Sequence, residues 1–200
     1  MRIVLFSESI LHTSIENKLI KKLFLSTFKK EKQKNISVIK SNRGGFQTDS
    51  LDNKELKKFL IENAGKLLNS EYKFNKSIKL LLSNFWINQN YKYNYNRSHL
   101  HLGITSPTGL TINFSGVYYL EVPNNPGNIY FESNDISRCN QEILNISTNN
   151  HDDFRTEVSF NPKENDFIIF PSYLRHGVES SVSNKKRTSV AFNFVVQDAI

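Results

Sequence analysis

The sequence predicts a mainly β fold with helices at its amino-terminal end, and three observations carry that prediction. Over about the first 70 residues the apolar positions recur at helical spacing. From about Ser77 the pattern changes to short runs rich in β-branched and aromatic residues. Turn-forming stretches such as "SPTG", "PNNPG", "NPKEN" and "SNKK" separate those runs at near-regular intervals. Many short strands punctuated in this way make a sandwich, a barrel or a jelly roll.

The first element reads from "LHTSIENKLIKKLFLSTFKK". Thr13 followed by Glu16 fits a capping box. Ile15, Leu19 and Leu23, with Ile20, Phe24 and Phe28, then fall at i,i+4 spacing and predict one broad apolar face. "SNRGGFQTDS" follows, and its paired glycines predict a turn or a close backbone approach. A second helix is predicted at "LDNKELKKFLIENAGKLL", capped around Asp52 and Glu55, with Leu56, Phe59, Leu60, Ala64, Leu67 and Leu68 as its stripe. The strand candidates are "SIKLLLSNFWINQNY", "TINFSGVYYLEV", "NIYFES", "TEVSF", "DFIIFPS", "HGVESSV" and "RTSVAFNFVV". "SNDISRCNQEILNISTNNHDDF" reads as a long loop over the mouth of the roll. No internal repeat and no Pro-, Gly- or Ser-rich linker divides the chain. The expectation is one domain over 1–200, with helical support in 1–76 and a β core in 77–196.

Length and composition exclude several classes. A chain of 200 residues with 38% hydrophobic and 12% aromatic residues buries a core and is not disordered. The single cysteine, Cys139, rules out a disulfide within the chain and argues against a cysteine-based zinc site. "MRIVLFSESILHTS" lacks the h-region of a signal peptide, and no run reaches the ~18 apolar residues of a membrane helix. The expectation is a soluble, cytoplasmic protein without a membrane partner. The net charge of +7 and pI of about 9.4 raise nucleic acid as a partner. The lysines, however, are scattered or sit on helix faces with no Arg cluster, which reads mainly as a solvated surface. A steep salt dependence of binding would reveal a nucleic-acid partner. The pattern does not set an oligomeric state.

The chemistry starts at "NRSHLHLGI", which places His99 and His101 one residue apart. On a strand, residues i and i+2 face the same way, so both imidazoles reach one point, where a metal ion is the usual occupant. His176 follows "IIFPSYLR" and supplies a third imidazole from a distant strand, as a jelly roll allows. In "RTSVAFNFVV", Arg187, Ser189, Ala191 and Asn193 share a face that is unusually polar for a core strand. An Arg fork beside a Ser hydroxyl suits a carboxylate. Ser115, Val117 and Tyr119 share a face in the same way, so the Tyr119 hydroxyl is a candidate to join Arg187. Trp86 reads as core, while Asn88, on the same face, is a candidate to line the site. Asn193 reads either as a site residue or as a partner for backbone groups. Asp166 reads as a turn or strand-entry residue, and His12 and His151 as solvent or loop residues.

Six phrases in order, "SNRGGFQTDSL", "NFWINQNY", "HLH", "SGVYYLEVP", "FPSYLRHGV" and "RTSVAFNF", resemble the 2-oxoglutarate- and iron(II)-dependent oxygenases. More narrowly they resemble an oxygenase family found in bacteria and their phages, which would put the protein in a host cytoplasm if phage-encoded. The resemblance spans roughly Ser41 to Val195. It implies a double-stranded β-helix of the cupin-like jelly-roll type. It implies Fe(II) held by His99, His101 and His176, and 2-oxoglutarate held through its distal carboxylate by Arg187. Ser189 and Tyr119 would assist, with Asn88 and Asn193 further candidates for cosubstrate contact. It implies O2 as oxidant, succinate and carbon dioxide as coproducts, ascorbate as a supporting reductant and hydroxylation of a C–H bond. One departure stands out. The commonest triad of the superfamily has Asp or Glu where this chain has His101, although the narrower family carries His-x-His. Two rivals remain at this point: a three-histidine cupin-type dioxygenase without 2-oxoglutarate, and a jelly-roll binding module with structural or zinc-holding histidines.

Overall fold

The structure is a computed structural model that describes residues 8–72, 74, 78–101, 103, 109–133 and 156–198. The long loop expected from Ser133 to Phe154, with Cys139 and His151, lies outside the described residues apart from Ser133 itself. So do positions 102 and 104–108 after His101.

Among the described residues the chain runs β1 (Leu11–Ser14), α1 (Lys18–Gln33), β2 (Asn42–Arg43), β3 (Phe46–Gln47), α2 (Lys54–Glu71), β4 (Ile78–Asn90) and β5 (Tyr95–His99). It continues β6 (Phe114–Glu121), β7 (Ile129–Glu132), β8 (Glu157–Phe160), β9 (Asp166–Pro171), β10 (Arg175–Val178) and β11 (Arg187–Asp198). Two sheets result. The larger has the order β1-β9-β6-β11-β4-β3 and the smaller β2-β5-β10-β7-β8. The pairings are antiparallel. Successive strands β4, β5, β6 and β7 alternate between the two sheets, which is the winding of a jelly roll.

The larger sheet is covered on both faces. Phe167 and Ile169 of β9, Val190, Phe192 and Phe194 of β11, and Phe85 and Ile87 of β4 pack outward against α1 and α2. Ile168 and Phe170 of β9 and Tyr119 of β6 point the other way, into a second cluster with Phe131 of the small sheet. Burial on both faces explains why "DFIIFP" is a continuous apolar run and not an alternating one. Phe24 of α1 joins helices to sheet, with ring contacts to Phe59, Phe85 and Tyr118. Each such side chain contributes roughly 1.5–3 kcal/mol on burial.

The amino-terminal segment departs from expectation in four ways. The helix α1 starts at Lys18, with Asn17 as the cap that accepts the Ile20 N–H at 3.0 Å. The Thr13–Glu16 capping box does not form, because Leu11–Ser14 is an edge strand paired with β9. The buried row of α1 is Ile20, Phe24 and Phe28, Ile15 and Leu23 pack partly buried against the same core as expected, and Leu19 departs, being 80% exposed. The α2 cap is Asn53, accepting the Leu56 N–H, while Asp52 pairs with Lys57 and Glu55 lies in the first turn. The paired glycines are a turn, as expected, and they carry the chain from the small sheet (β2) to the large one (β3). Gly44 and Gly45 adopt φ of +73° and +74°, and a Cβ on Gly45 would come 2.6 Å from the Gln89 carbonyl oxygen. The segment 1–76 therefore supplies strands to both sheets as well as helices. No helix among the described residues is long and apolar enough to cross a membrane.

Candidate active site

The polar face read from "RTSVAFNF" is the inner face of the large sheet. In β11, Ser189 lies opposite Tyr119 of β6 and Asn88 of β4, while Asn193 lies opposite Ser115 and Asn84. The small sheet faces them. There His176 of β10 lies directly opposite His99 of β5, with ring centroids 4.4 Å apart. His101 is not on the strand, as its spacing suggested. The strand β5 ends at His99, and the His101 N–H is instead bonded to the Ser172 carbonyl at 2.9 Å. That bond turns its ring inward, 5.2 Å from His99 and 5.3 Å from His176 by ring centroid. One ligand atom of each ring lies within 4.8 Å of the others, a group able to hold a metal ion.

The hydrogen bonds around these rings fix their tautomers. His99 Nδ1 lies 2.8 Å from the Arg97 carbonyl oxygen, and His176 Nδ1 lies 2.9 Å from that of Leu174. A carbonyl only accepts, so each Nδ1 carries the proton and each Nε2 keeps its lone pair. His101 Nδ1 reaches Asn193 Oδ1 at 2.7 Å and Ser115 Oγ at 2.8 Å. The Ser115 hydroxyl also donates to Asn193 Oδ1, and the Asn193 amide donates to Asn84 Oδ1. Burial keeps the rings neutral. It pushes His101 down to about 4, helped by the nearby His99, and holds His176 well below its ordinary value. His99 is lowered by burial as well. Three neutral imidazoles with oriented Nε2 atoms fit a divalent first-row transition metal.

Arg187 occupies the other end of the same cavity. Its residue is 3% exposed, and no carboxylate pairs with it among the described residues. One terminal nitrogen donates to the Gly127 carbonyl at 2.9 Å and, weakly, to that of Pro126, while its Nε is buried without a partner. Burial lowers its pKa and Tyr119 opposes that shift. A buried, unpaired guanidinium costs several kcal/mol, and an anion in the cavity would offset that cost. Gly127 allows the arrangement, since its φ is +75° and a Cβ there would come 2.3 Å from the Glu179 carbonyl oxygen. Tyr119 and Ser189 line the same cavity and are both buried. Burial holds the Tyr119 phenol protonated. Asn88 lines it too, with its Oδ1 buried and unpartnered. The cavity opens to solvent and has His99, His101 and His176 on its wall.

Residues 84–193, more than half of the sequence, match the family described as "Putative 2OG-Fe(II) oxygenase". The chain belongs to this oxygenase family. It is an oxidoreductase whose cofactors are Fe(II) and 2-oxoglutarate. The curated proteins contain no match to the oxygenase. Its fold is that of solved structures at low identity. A Pseudomonas putida prolyl-4-hydroxylase is 12% identical, with 94% of this chain and 92% of that one covered and a TM-score of 0.58. HygX from Streptomyces hygroscopicus, solved with nickel, 2-oxoglutarate and hygromycin B, is 12% identical over 94% and 82%, with a TM-score of 0.58. SnoN, a non-heme α-ketoglutarate-dependent epimerase from nogalamycin biosynthesis, is 11% identical over 94% and 78%, with a TM-score of 0.64.

The oxygenase brings together all the sequence-predicted site residues, with two differences of detail. Asn193 bonds to the His101 ring and to side chains of the network behind it, not to backbone groups. Trp86, expected in the core, is only half-buried and lines the cavity, its ring 6.4 Å from that of His101. Asp166 opens β9 and pairs with His12, whose side chain is 43% exposed on the edge strand β1. Sequence reasoning missed Gln47, which is 4% exposed and also lines the cavity. The only available signal was its place next to the paired glycines.

Proposed function

We propose that the oxygenase hydroxylates a C–H bond of its substrate, with His99, His101 and His176 holding the iron and Arg187 holding the distal carboxylate of 2-oxoglutarate. When bound, the iron with 2-oxoglutarate and O2 supplies the oxidising chemistry, releasing succinate and carbon dioxide. Each imidazole offers Nε2 while its Nδ1–H is held by Arg97, Leu174 or Asn193. The Arg187 guanidinium is held on one side by backbone carbonyls of the β6–β7 loop, and its free donors meet the carboxylate. The Ser189 and Tyr119 hydroxyls supply further donors beside it. Asn193 acts through His101, fixing its ring. Phe170, Ile129 and Val117 wall the cavity and keep water from the bound keto acid.

The observation that carries this reading is the unpaired, buried Arg187 in one cavity with three metal-competent histidines. A three-histidine dioxygenase without 2-oxoglutarate leaves that charge with no purpose, and so does a binding module. The finer kinship, with the bacterial and phage branch, rests on the order of the phrases, five of which begin inside residues 84–193. The test is turnover with Fe(II), ascorbate and 2-oxoglutarate. Succinate formation that disappears in His176→Ala and Arg187→Ala is expected. Oxygen uptake with a substrate but without 2-oxoglutarate would overturn the proposal.

A further inference from the structure

A second cavity opens beside the first and shares its His99, His101, Trp86, Gln47 and Ser41 wall. It holds about 990 Å³, open to solvent, and three cations line it: Lys40, Arg43 and Arg97. Among the described residues none of the three has a carboxylate partner, and neither cavity has an Asp or Glu in its lining. The Arg43 guanidinium is braced by the Lys40 and Asn42 carbonyls at 3.0 and 2.8 Å. The strand pairing of β2 with β5, extended by the Arg97 N–H to the Ser41 carbonyl at 2.9 Å, brings Lys40 and Arg43 to the same edge as Arg97. Ser98 Oγ, on the same lining, is buried without a partner.

We infer that this cavity takes the substrate and that the substrate carries a phosphate group, held by Lys40, Arg43 and Arg97. This rests on the functional reading above, because it needs the reacting centre at His99 and His101. Charge supports it. A carboxylate in place of His101 would leave Fe(II), one carboxylate and dianionic 2-oxoglutarate with a net negative charge. Three neutral histidines leave that assembly neutral, so an anionic substrate meets no repulsion there. Three cations on one wall exceed what the two oxygens of a carboxylate need, whereas a phosphate offers three oxygens and up to two charges. Trp86, on the shared wall, offers a face for a ring of the substrate.

Trp86 is the only tryptophan in the chain, so its emission reads this cavity directly. Protein loaded anaerobically with Fe(II) and 2-oxoglutarate is titrated with AMP, adenosine, a dT5 oligonucleotide and gluconate. AMP or dT5 binding at least tenfold tighter than adenosine, with the gap narrowing at high salt, is expected. Tighter AMP identifies a small phosphorylated substrate, and tighter dT5 identifies a nucleic-acid strand. Arg97→Glu, at an exposed position, and a Lys40→Ala/Arg43→Ala pair should each weaken the phosphate-bearing ligand severalfold. Lys66→Ala, on the exposed face of α2, should leave it unchanged. Adenosine matching both AMP and dT5, or gluconate matching the tighter of the two, would overturn the inference, as would wild-type affinity for that tighter ligand in Arg97→Glu. The visible absorption of bound 2-oxoglutarate is read in the same samples. Its absence with tight AMP would sink the cosubstrate assignment and leave the phosphate site standing.

Discussion

Arg187 is the residue on which the site turns, because its charge is buried before any ligand arrives. Removing it should therefore act in opposite directions on two properties. Arg187→Met should leave the ligand-free protein as stable as wild type or more so, since an unpaired buried charge is gone. It should also remove the thermal stabilisation given by 2-oxoglutarate, with on the order of 2–5 kcal/mol of binding lost. Paired melting curves with and without the keto acid check both arms. Asn193 makes a separate prediction. It accepts the Nδ1 proton of His101, so Asn193→Ala should lower affinity for Fe(II) or Co(II) by about 10- to 100-fold, and Asn193→Asp should restore much of it. Competition against a coloured chelator measures this without turnover. The sequence put Asn193 on the correct face of its strand. It could not show that the partner would be His101, because that contact joins β11 of the large sheet to the segment that follows β5 of the small one.

At the scale of elements, strands that alternate or run apolar were legible, and strands defined by their partners were not. The segments that became β4, β6, β7, β9 and β11 carry β-branched and aromatic runs, and the sequence predicts each of them. "YNRSH" is too polar to announce β5, and "LHTS" forms β1 only because β9 offers it an edge. Capping failed for the same reason, since tertiary pairing claimed the residues before Asn17. The β6–β7 loop is the element that aims Arg187, and Gly127 is its hinge. Gly127→Ala places a Cβ against the Glu179 carbonyl and should destabilise the fold by about 1–2 kcal/mol. It should also weaken 2-oxoglutarate binding while sparing metal binding. Urea melts and the two binding assays on one preparation separate these effects.

For the whole molecule, the three histidines, two buried and His99 half-buried, link stability to acidity. Their folded-state pKa values lie below the ordinary 6.5, so the unfolded chain takes up protons first as pH falls. The metal-free protein should hold full stability above about pH 6.5 and lose it progressively as pH drops toward 4. Replacing His101 by Gln should flatten that slope, as urea midpoints at a series of pH values would show. The roll brings these histidines to one place through the pairing of β5 with β10, and that pairing faces β11 with its arginine. The central claim is that metal and keto acid meet in this one cavity. Anaerobic titration of the Fe(II)-loaded protein with 2-oxoglutarate, followed by visible absorption, tests it most directly. A weak charge-transfer band is expected in wild type and is lost in Arg187→Ala although iron is retained. Iron bound with no band in wild type, or a band of full affinity in Arg187→Ala, would contradict it.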